Sequence, residues 1–514
     1  MEPSSSTDKN MTYLQQGEVG SNEVTERTPL LRSTMDSGEQ TKIGSIGTSQ
    51  QTLVSTGSTT VARGNRVPQY VASLASTLGA LAAGMVLAWT SPAGKEGIKL
   101  AANYGIPITK QQFSLIGSLT TLGAAAVCMP IGVLADLIGR KTAMLILVVP
   151  FTIGWLLIIF ANSIGMFYAG RFITGLSGGA FCVTAPMYTA EIVESEIRGS
   201  LGSYFQLLLT TGILLTYIIG YVLNNMHTLS IISAIFPLVF FVAFFFMPES
   251  PVYYLKKNRE NEARDSLLKL RGDQYDVDTE IRNLQASLNE SRGAAFSTAI
   301  LSKPAIKGLI IAFGLMVFQQ LSGVNAIIFY LGKIASSVYE NDESSQGMFI
   351  VVVGVIQVVA VLISTLIVDR LGRRMLLLTS SSAMCAAMLI LGVCFYLKEH
   401  QLASQDVTGT LSLIMICTFI VLFSFGFGPI PWMMMGEIFA PEIKGVAASS
   451  ACCFNWMVAF IVTYFFDDIT GTVKDSGAFW IFSGVCGIGV VFVFFVVPET
   501  KDKSLDDIQR ELAR

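Results

Sequence analysis

Asp136-Leu-Ile-Gly139-Arg140-Lys141 returns about half a chain later as Asp369-Arg-Leu-Gly372-Arg373-Arg374. Two further motifs return in the same order. Glu191-Ile-Val-Glu194-Ser-Glu196-Ile-Arg198-Gly199 is echoed by Glu437-Ile-Phe-Ala-Pro441-Glu442-Ile-Lys444-Gly445, and Pro248-Glu249-Ser250 by Pro498-Glu499-Thr500. One echo is within reach of chance. Three in register mean two similar halves.

The medium of those halves is set by composition. Of 514 residues, 52% are hydrophobic and only 14% charged, where a soluble domain has about a quarter; the mean hydropathy is +0.58. Apolar runs recur at 69–90, 112–134, 142–162, 165–188, 201–223, 229–247, 305–331, 347–368, 375–397, 411–435, 446–466 and 477–497. Each has about the length that crosses roughly 30 Å of hydrocarbon. The predicted fold is therefore an all-α membrane protein, twelve transmembrane helices in two six-helix bundles. Its expected divisions are a disordered cytoplasmic tail (1–66), a first bundle (67–250), a helical cytoplasmic loop (251–303), a second bundle (304–497) and a C-terminal tail (498–514).

Positive charge orients the chain, because Lys and Arg are retained on the cytoplasmic side. With the amino terminus inside, the outer loops hold only Lys95, Lys99, Lys110, Lys333, Lys398 and Lys474, while Arg140, Lys141, Arg370, Arg373 and Arg374 lie inside. Both termini are then cytoplasmic, and the sequons at Asn10 and Asn289 should be unused. All eight cysteines lie in apolar spans, so packing is expected and no disulfide framework. His227 and His400 are too isolated to suggest a metal. No signal peptide precedes the first span. In the tail, Glu26-Arg-Thr-Pro-Leu30-Leu31 has the form of an acidic dileucine sorting signal. Apolar stripes at helical spacing predict short helices over 260–271 and 277–289, and Ser504-Leu-Asp-Asp507 reads as a capping box.

The repeated motifs suit gating. An acid and two cations in one tight turn, present in both halves, predict charge pairs made and broken between the halves. The residues expected to take part are Asp136, Arg140, Lys141, Glu191 and Arg198 in one half, and Asp369, Arg373, Arg374, Glu437 and Lys444 in the other. Glu191 with Arg198, and Glu437 with Lys444, are expected partners.

Arg171-Phe-Ile-Thr-Gly, Pro248-Glu-Ser-Pro251, Gln319-Gln-Leu-Ser-Gly-Val-Asn325, Gly428-Pro-Ile-Pro-Trp432 and Pro498-Glu-Thr-Lys501 stand in order along the chain. On these motifs the chain, from about 68 to 512, resembles the sugar porter family of the major facilitator superfamily. Its tenth span, 424–437, is most similar to insect facilitated trehalose transporters and intracellular-type facilitative glucose transporters. The resemblance implies sugar binding at Gln206, Gln319, Gln320, Asn325, Gln357, Trp432 and Asn455. Three positions depart from the family pattern: Ser424 stands where the best-known glucose carriers have an acid, Lys444 replaces an Arg, and Val252 replaces an Arg.

Residue chemistry supports the same reading. Neutral amides offer donors and acceptors to hydroxyls without attracting ions. On span five, Gln206, Thr210 and Tyr217 form one polar stripe, and Gln357 is the strongly polar side chain of its stretch. On an unbroken helix Gln320 and Asn325 would point about 140° apart. Facing one cavity requires a break near Ser322-Gly323. Gly426, Gly428, Pro429 and Pro431 likewise predict a broken tenth span, after which Trp432 offers a ring face. The first span, Val71 to Thr90, holds no acid to load with a proton. The expected activity is facilitative transport of trehalose or a hexose such as glucose; proton-coupled symport and a transport-dead sugar sensor are the alternatives. No nucleophile–base pair or nucleotide loop is present, so an enzyme is not expected, and neither is a cofactor. The expected partners are a small-molecule sugar and the lipid bilayer, with an endocytic adaptor at the tail and no nucleic acid. The plasma membrane is the expected location, with the endosomal or lysosomal membrane as the alternative.

Overall fold

Helix is the regular secondary structure throughout the described residues, as a lipid slab demands of a chain that must satisfy its own backbone. The computed structural model describes residues 64–513 except 195, 293–299, 340, 341 and 504. The side chains of 290–292, 368–370, 405, 406, 441, 442 and 506 are also outside it. Glu26, Leu30, Leu31, the Asp369 side chain and the Ser504 cap thus lie outside the described residues.

The first six spans are Val67–Ala88, Lys110–Ile138, Arg140–Ile159, Ile164–Ile192, Arg198–Leu223 and Met226–Phe245. The seventh is two pieces, Lys303–Leu321 and Val324–Val338; the eighth is Glu343–Leu371 and the ninth Arg373–Glu399. The tenth is Gln405–Phe425 followed by Ile430–Ile438. A 56-residue helix, Pro441–Val496, contains the last two, divided at Lys474 by a non-helical φ of 65° and ψ of 174°. The fourth span is glycine-rich and carries Arg171, so it stands apart from the ten helices apolar enough to be recognised by hydropathy alone. Counted in this way, the twelve predicted spans are present among the described residues.

Close packing explains the glycines. A Cβ on Gly84 would lie 2.0 Å from the Leu209 carbonyl oxygen, and one on Gly212 would lie 2.0 Å from that of Leu81. The first and fifth spans therefore touch backbone to backbone, the contact that small residues permit in membranes. Helix starts are capped where the sequence offers caps. Thr109 and Gln112 form a reciprocal capping box on the second span, and Asn225 and Ser302 cap the sixth and seventh. The loop helices form at Glu260–Arg271 and Val277–Arg292, with Leu255, Ala263, Leu267, Val277 and Ile281 packed between them. Arg271 docks this pair by donating to the Ile192 carbonyl at 2.7 Å while holding Glu280 at 2.8 Å.

One end of the bundle carries the repeated motifs; at the other, the far end, the two halves are tied by hydrogen bonds. Thr90 Oγ1 donates to the Phe329 carbonyl (3.1 Å), the Gly332 N–H to Ser91 Oγ (3.0 Å) and Tyr217 OH to the Ile328 carbonyl (3.1 Å). Two expectations change here. Tyr217 belongs to this seam, while Gln206 on the same stripe stays half-buried. Lys333, placed in a loop by hydropathy, lies within the seventh span, because the helix after the break continues to Val338.

The predicted break is at Gly323, whose φ of +89° lies in the left-handed region and whose Cβ would stand 2.6 Å from the Phe482 ring. Gly323→Ala is expected to destabilise the protein by about 1–3 kcal/mol, whereas Gly202→Ala, with nothing within 4 Å of the added carbon, should be neutral. Thermal unfolding of the two purified variants beside wild type checks the difference.

Candidate functional site

The polar residues gather at two places: a charged clasp at the motif end of each half, and a chain of amides where the seventh and tenth spans are interrupted.

The clasp begins with a glycine. Gly139 (φ +102°) and Gly372 (φ +86°) turn the chain from one span into the next. A Cβ there would meet a carboxylate oxygen of Glu249 at 2.3 Å, or of Glu499 at 2.9 Å. Those carboxylates sit on the N-termini of the third and ninth spans. Glu249 accepts from the N–H groups of Lys141 (3.0 Å), Thr142 (3.4 Å) and Ser250 (2.8 Å). Glu499 accepts from Arg373 (2.9 Å), Arg374 (3.0 Å), Thr500 (3.0 Å) and Lys501 (3.0 Å). An anion is favoured at a helix N-terminus by the unpaired N–H groups and the helix dipole. Burial lifts the Glu249 carboxyl above its ordinary range despite those donors. At Glu499 burial also pushes upward, but the four N–H groups outweigh it and the carboxyl is held low.

The guanidinium completes each clasp. Arg140, 1% exposed, donates from Nε and Nη2 to Glu191 at 3.1 and 2.9 Å and pairs with Asp136 at 2.7 Å. Ser250 Oγ donates to the other Glu191 oxygen. In the second half Arg373 donates to Glu437 at 3.2 Å, and Thr500 Oγ1 donates to Glu437 at 2.6 Å. Lys141 lies over the Phe245 ring and Arg374 over that of Phe494, each at 5.7 Å.

This differs from the expected gate in two respects. The pairs run within each half, because the turn arginine reaches the glutamate of its own fourth or tenth span. Among the described residues no ion pair joins Glu191 to Arg198 or Glu437 to Lys444. The chain leaves the helix in extended backbone at Val193 and Phe439, so a seven-residue spacing no longer places two side chains on one face. Arg198 donates to the Val193 carbonyl and Lys444 to that of Gly436. Glu249, Ser250, Glu499 and Thr500 were visible in the sequence as a repeat, yet without a role.

The amide chain joins three spans. Gln319 Nε2 donates to the carbonyls of Phe427 (2.5 Å) and Gly428 (3.1 Å), inside the break of the tenth span. Asn455 Nδ2 donates to Gln319 Oε1 (2.7 Å), Gln320 Nε2 to Asn455 Oδ1 (2.8 Å) and Asn325 Nδ2 to Gln320 Oε1 (2.5 Å). Gly323 makes the last bond possible by bringing Asn325 round to Gln320. Four of the seven expected positions are thus linked. Gln357 is buried in the eighth span, while Gln206 and Trp432 are half-buried; none of these three enters the chain of bonds among the described residues.

Arg171 is fully buried in the fourth span. It donates to the carbonyls of Ile116 (3.1 Å) and Val86 (2.8 Å) and lies over Trp89 at 5.1 Å. Among the described residues no ion pair reaches it.

Breaking a buried ion pair costs about 3–5 kcal/mol. Arg140→Ala is expected to approach that cost and Arg373→Ala to fall short of it, because the Arg373 side chain is 13% exposed against 2% for Arg140. Unfolding of both variants in detergent checks the order.

Residues 52–512 match the family described as "Sugar (and other) transporter". The chain is 39% identical over 451 residues to the facilitated trehalose transporter Tret1 of Bombyx mori, covering 86% of each. It is 39% identical over 449 residues to that of Anopheles gambiae, where it spans 86% of this chain but 56% of the relative. Among solved structures, the proton:xylose symporter XylE bound to 6-bromo-6-deoxy-D-glucose superposes with a TM-score of 0.72 at 22% identity, covering 86% of this chain and 99% of that one. An inward-open XylE from E. coli gives 0.71 at 22% identity over 85% and 98%. At that identity the likeness is one of fold.

Proposed function

The chain belongs to the sugar transporter family, and from that membership we propose that it carries trehalose, or a hexose such as glucose, down its gradient by alternating access. The observation that carries this reading is the chain of amides from Gln319 through Asn455 and Gln320 to Asn325, laid across two interrupted helices. Irregular backbone at membrane depth is tolerated where it is buried in protein or lines a cavity, and interrupted helices are where transporters bind cargo. The amides are held by one another, so their orientation is set before a sugar arrives. Asn325 ends the series with its carbonyl oxygen outside these bonds among the described residues. Gln206, Gln357 and Trp432 complete the proposed sugar site, with the Trp432 ring as an apolar wall.

Each half moves as a body. The clasps around Arg140 and Arg373 stay closed within their halves and keep the ends of the third, fourth and sixth spans, and their counterparts, together while the halves rock. Charge asymmetry supports a cytoplasmic motif end and cytoplasmic termini. Nothing in this scheme requires a proton: the first span has no acid, and the Arg171 guanidinium is held by two carbonyls and a ring face, with no carboxylate paired to it among the described residues. Trehalose is taken from the relatives, and glucose from the resemblance of the tenth span to facilitative glucose transporters.

The plasma membrane is the proposed location, with endosomal or lysosomal membranes as the alternative. Glu26, Leu30 and Leu31 are proposed to bind an endocytic adaptor. Leu30→Ala with Leu31→Ala is expected to raise the surface fraction in biotinylation without changing uptake per surface molecule.

In proteoliposomes, counterflow of labelled trehalose or glucose is expected, with no accumulation above equilibrium when a proton gradient is imposed. Gln320→Ala and Asn325→Ala should each weaken sugar affinity by about 1–3 kcal/mol, the cost of leaving a buried polar partner unpaired. Accumulation abolished by a protonophore, or unchanged affinity in both variants, would overturn these assignments.

A further inference from the structure

Asp467 is a carboxylate 3% exposed in the eleventh span, about two helical turns short of the Lys474 break at the far end. Its two oxygens serve different halves. Oδ1 accepts from Lys333 Nζ at 2.5 Å, on the piece of the seventh span beyond Gly323. Oδ2 accepts at 2.5 Å from the hydroxyl of Ser114, in the first turns of the second span. Lys333 also donates to Thr470 Oγ1 at 3.0 Å and lies 5.3 Å from the centre of the Phe466 ring. Beside it, Tyr330 OH donates to the Thr463 carbonyl at 2.8 Å.

A buried carboxylate at this depth is costly unless paired and hydrogen-bonded. Here the pairing is divided in a way the clasps at the motif end are not. The ion pair lies within the second half, and only the Ser114 bond crosses between halves. We propose that Asp467 is a positioning residue of the transport cycle: with Lys333 and Ser114 it forms the lock that holds the far end shut. The lock opens by withdrawal of Ser114, which leaves Oδ2 without its donor until water replaces it. Separation of the halves and wetting of the far end are thereby linked. Lys333 travels with Asp467, so the carboxylate is never left without its counter-charge and release needs no proton. The same pair keeps the far piece of the seventh span on the eleventh, so the Thr90–Phe329 and Ser91–Gly332 contacts are presented together.

This inference rests on the alternating-access reading, and the experiment separates the two. Nitroxide labels at Ala102 and Leu402, both exposed at the far end on opposite halves, report the opening as a distance distribution in proteoliposomes. Counterflow in the same vesicles reports whether the protein carries sugar at all. A hydrogen bond to a charged group is strong enough that Ser114→Ala should raise the ratio of open to closed far ends by about ten-fold or more. Ser114→Thr, which keeps the hydroxyl, should return it toward wild type. Asp467→Asn, which loses the ion pair with Lys333 and offers Ser114 a neutral amide in place of a charged acceptor, should also favour the open form, and Ser114→Ala should add less in that background than in wild type, because the bond it removes is already weakened. Distances in Ser114→Ala and Asp467→Asn that match wild type, whatever happens to thermal stability, would show that the trio is packing glue and overturn the proposal. Absent counterflow in wild type, with the distance shifts intact, would instead count against the transport reading.

Discussion

An interrupted helix inside a lipid slab must find partners for the backbone groups that the interruption frees. The tenth span is interrupted between Phe425 and Ile430, and the carbonyls of Phe427 and Gly428 are taken by one side chain, the amide of Gln319. That bond fixes Gln319, whose oxygen then orients Asn455; Asn455 orients Gln320, and Gln320 orients Asn325. Without the first bond the later ones have no fixed reference. The polar centre of this protein therefore grows out of a backbone requirement. A buried amide left unpaired costs about 1–3 kcal/mol, so the series is held together link by link.

The two ends of the bundle solve different problems. At the motif end, each half closes on itself through a glycine turn, a glutamate on a helix N-terminus, an arginine and a hydroxyl. Because Arg140 and Arg373 find their acids within their own halves, these networks do not depend on contact between the halves. At the far end the bonds cross: Thr90 to Phe329, Gly332 to Ser91, Tyr217 to Ile328 and Ser114 to Asp467. The alternating access proposed here needs rigid bodies and a breakable seam, and the two kinds of network lie at opposite ends of the bundle.

Much of this was legible in the chain. The repeated motifs, the twelve apolar runs, and the breaks near Gly323 and through Gly426–Pro431 all follow from residue type and spacing, and all are present. The partners were less legible. Glu191 and Arg198 read as a pair at helical spacing, but the helix ends between them. Lys333 read as a loop residue because hydropathy falls there, although the helix runs on and buries its charge against Asp467. Glu249 and Glu499 stood in a repeat whose meaning depends on a helix N-terminus more than a hundred residues away.

What the sequence by itself determined was what a lipid environment imposes on every residue alike: where helices span, where glycine and proline interrupt them, and that the two halves share one plan. These are local consequences of hydrophobic length, backbone freedom and hydrogen-bonding capacity. Only the tertiary structure decided which polar groups meet. An arginine can satisfy any of several acids within reach of its side chain, and hydrogen bonds act over about 3 Å, a distance that spacing along the chain does not measure once a helix has ended. Whether an ion pair lies within one half or bridges two is therefore settled by packing, and with it whether the pair stiffens a moving body or locks the seam between two.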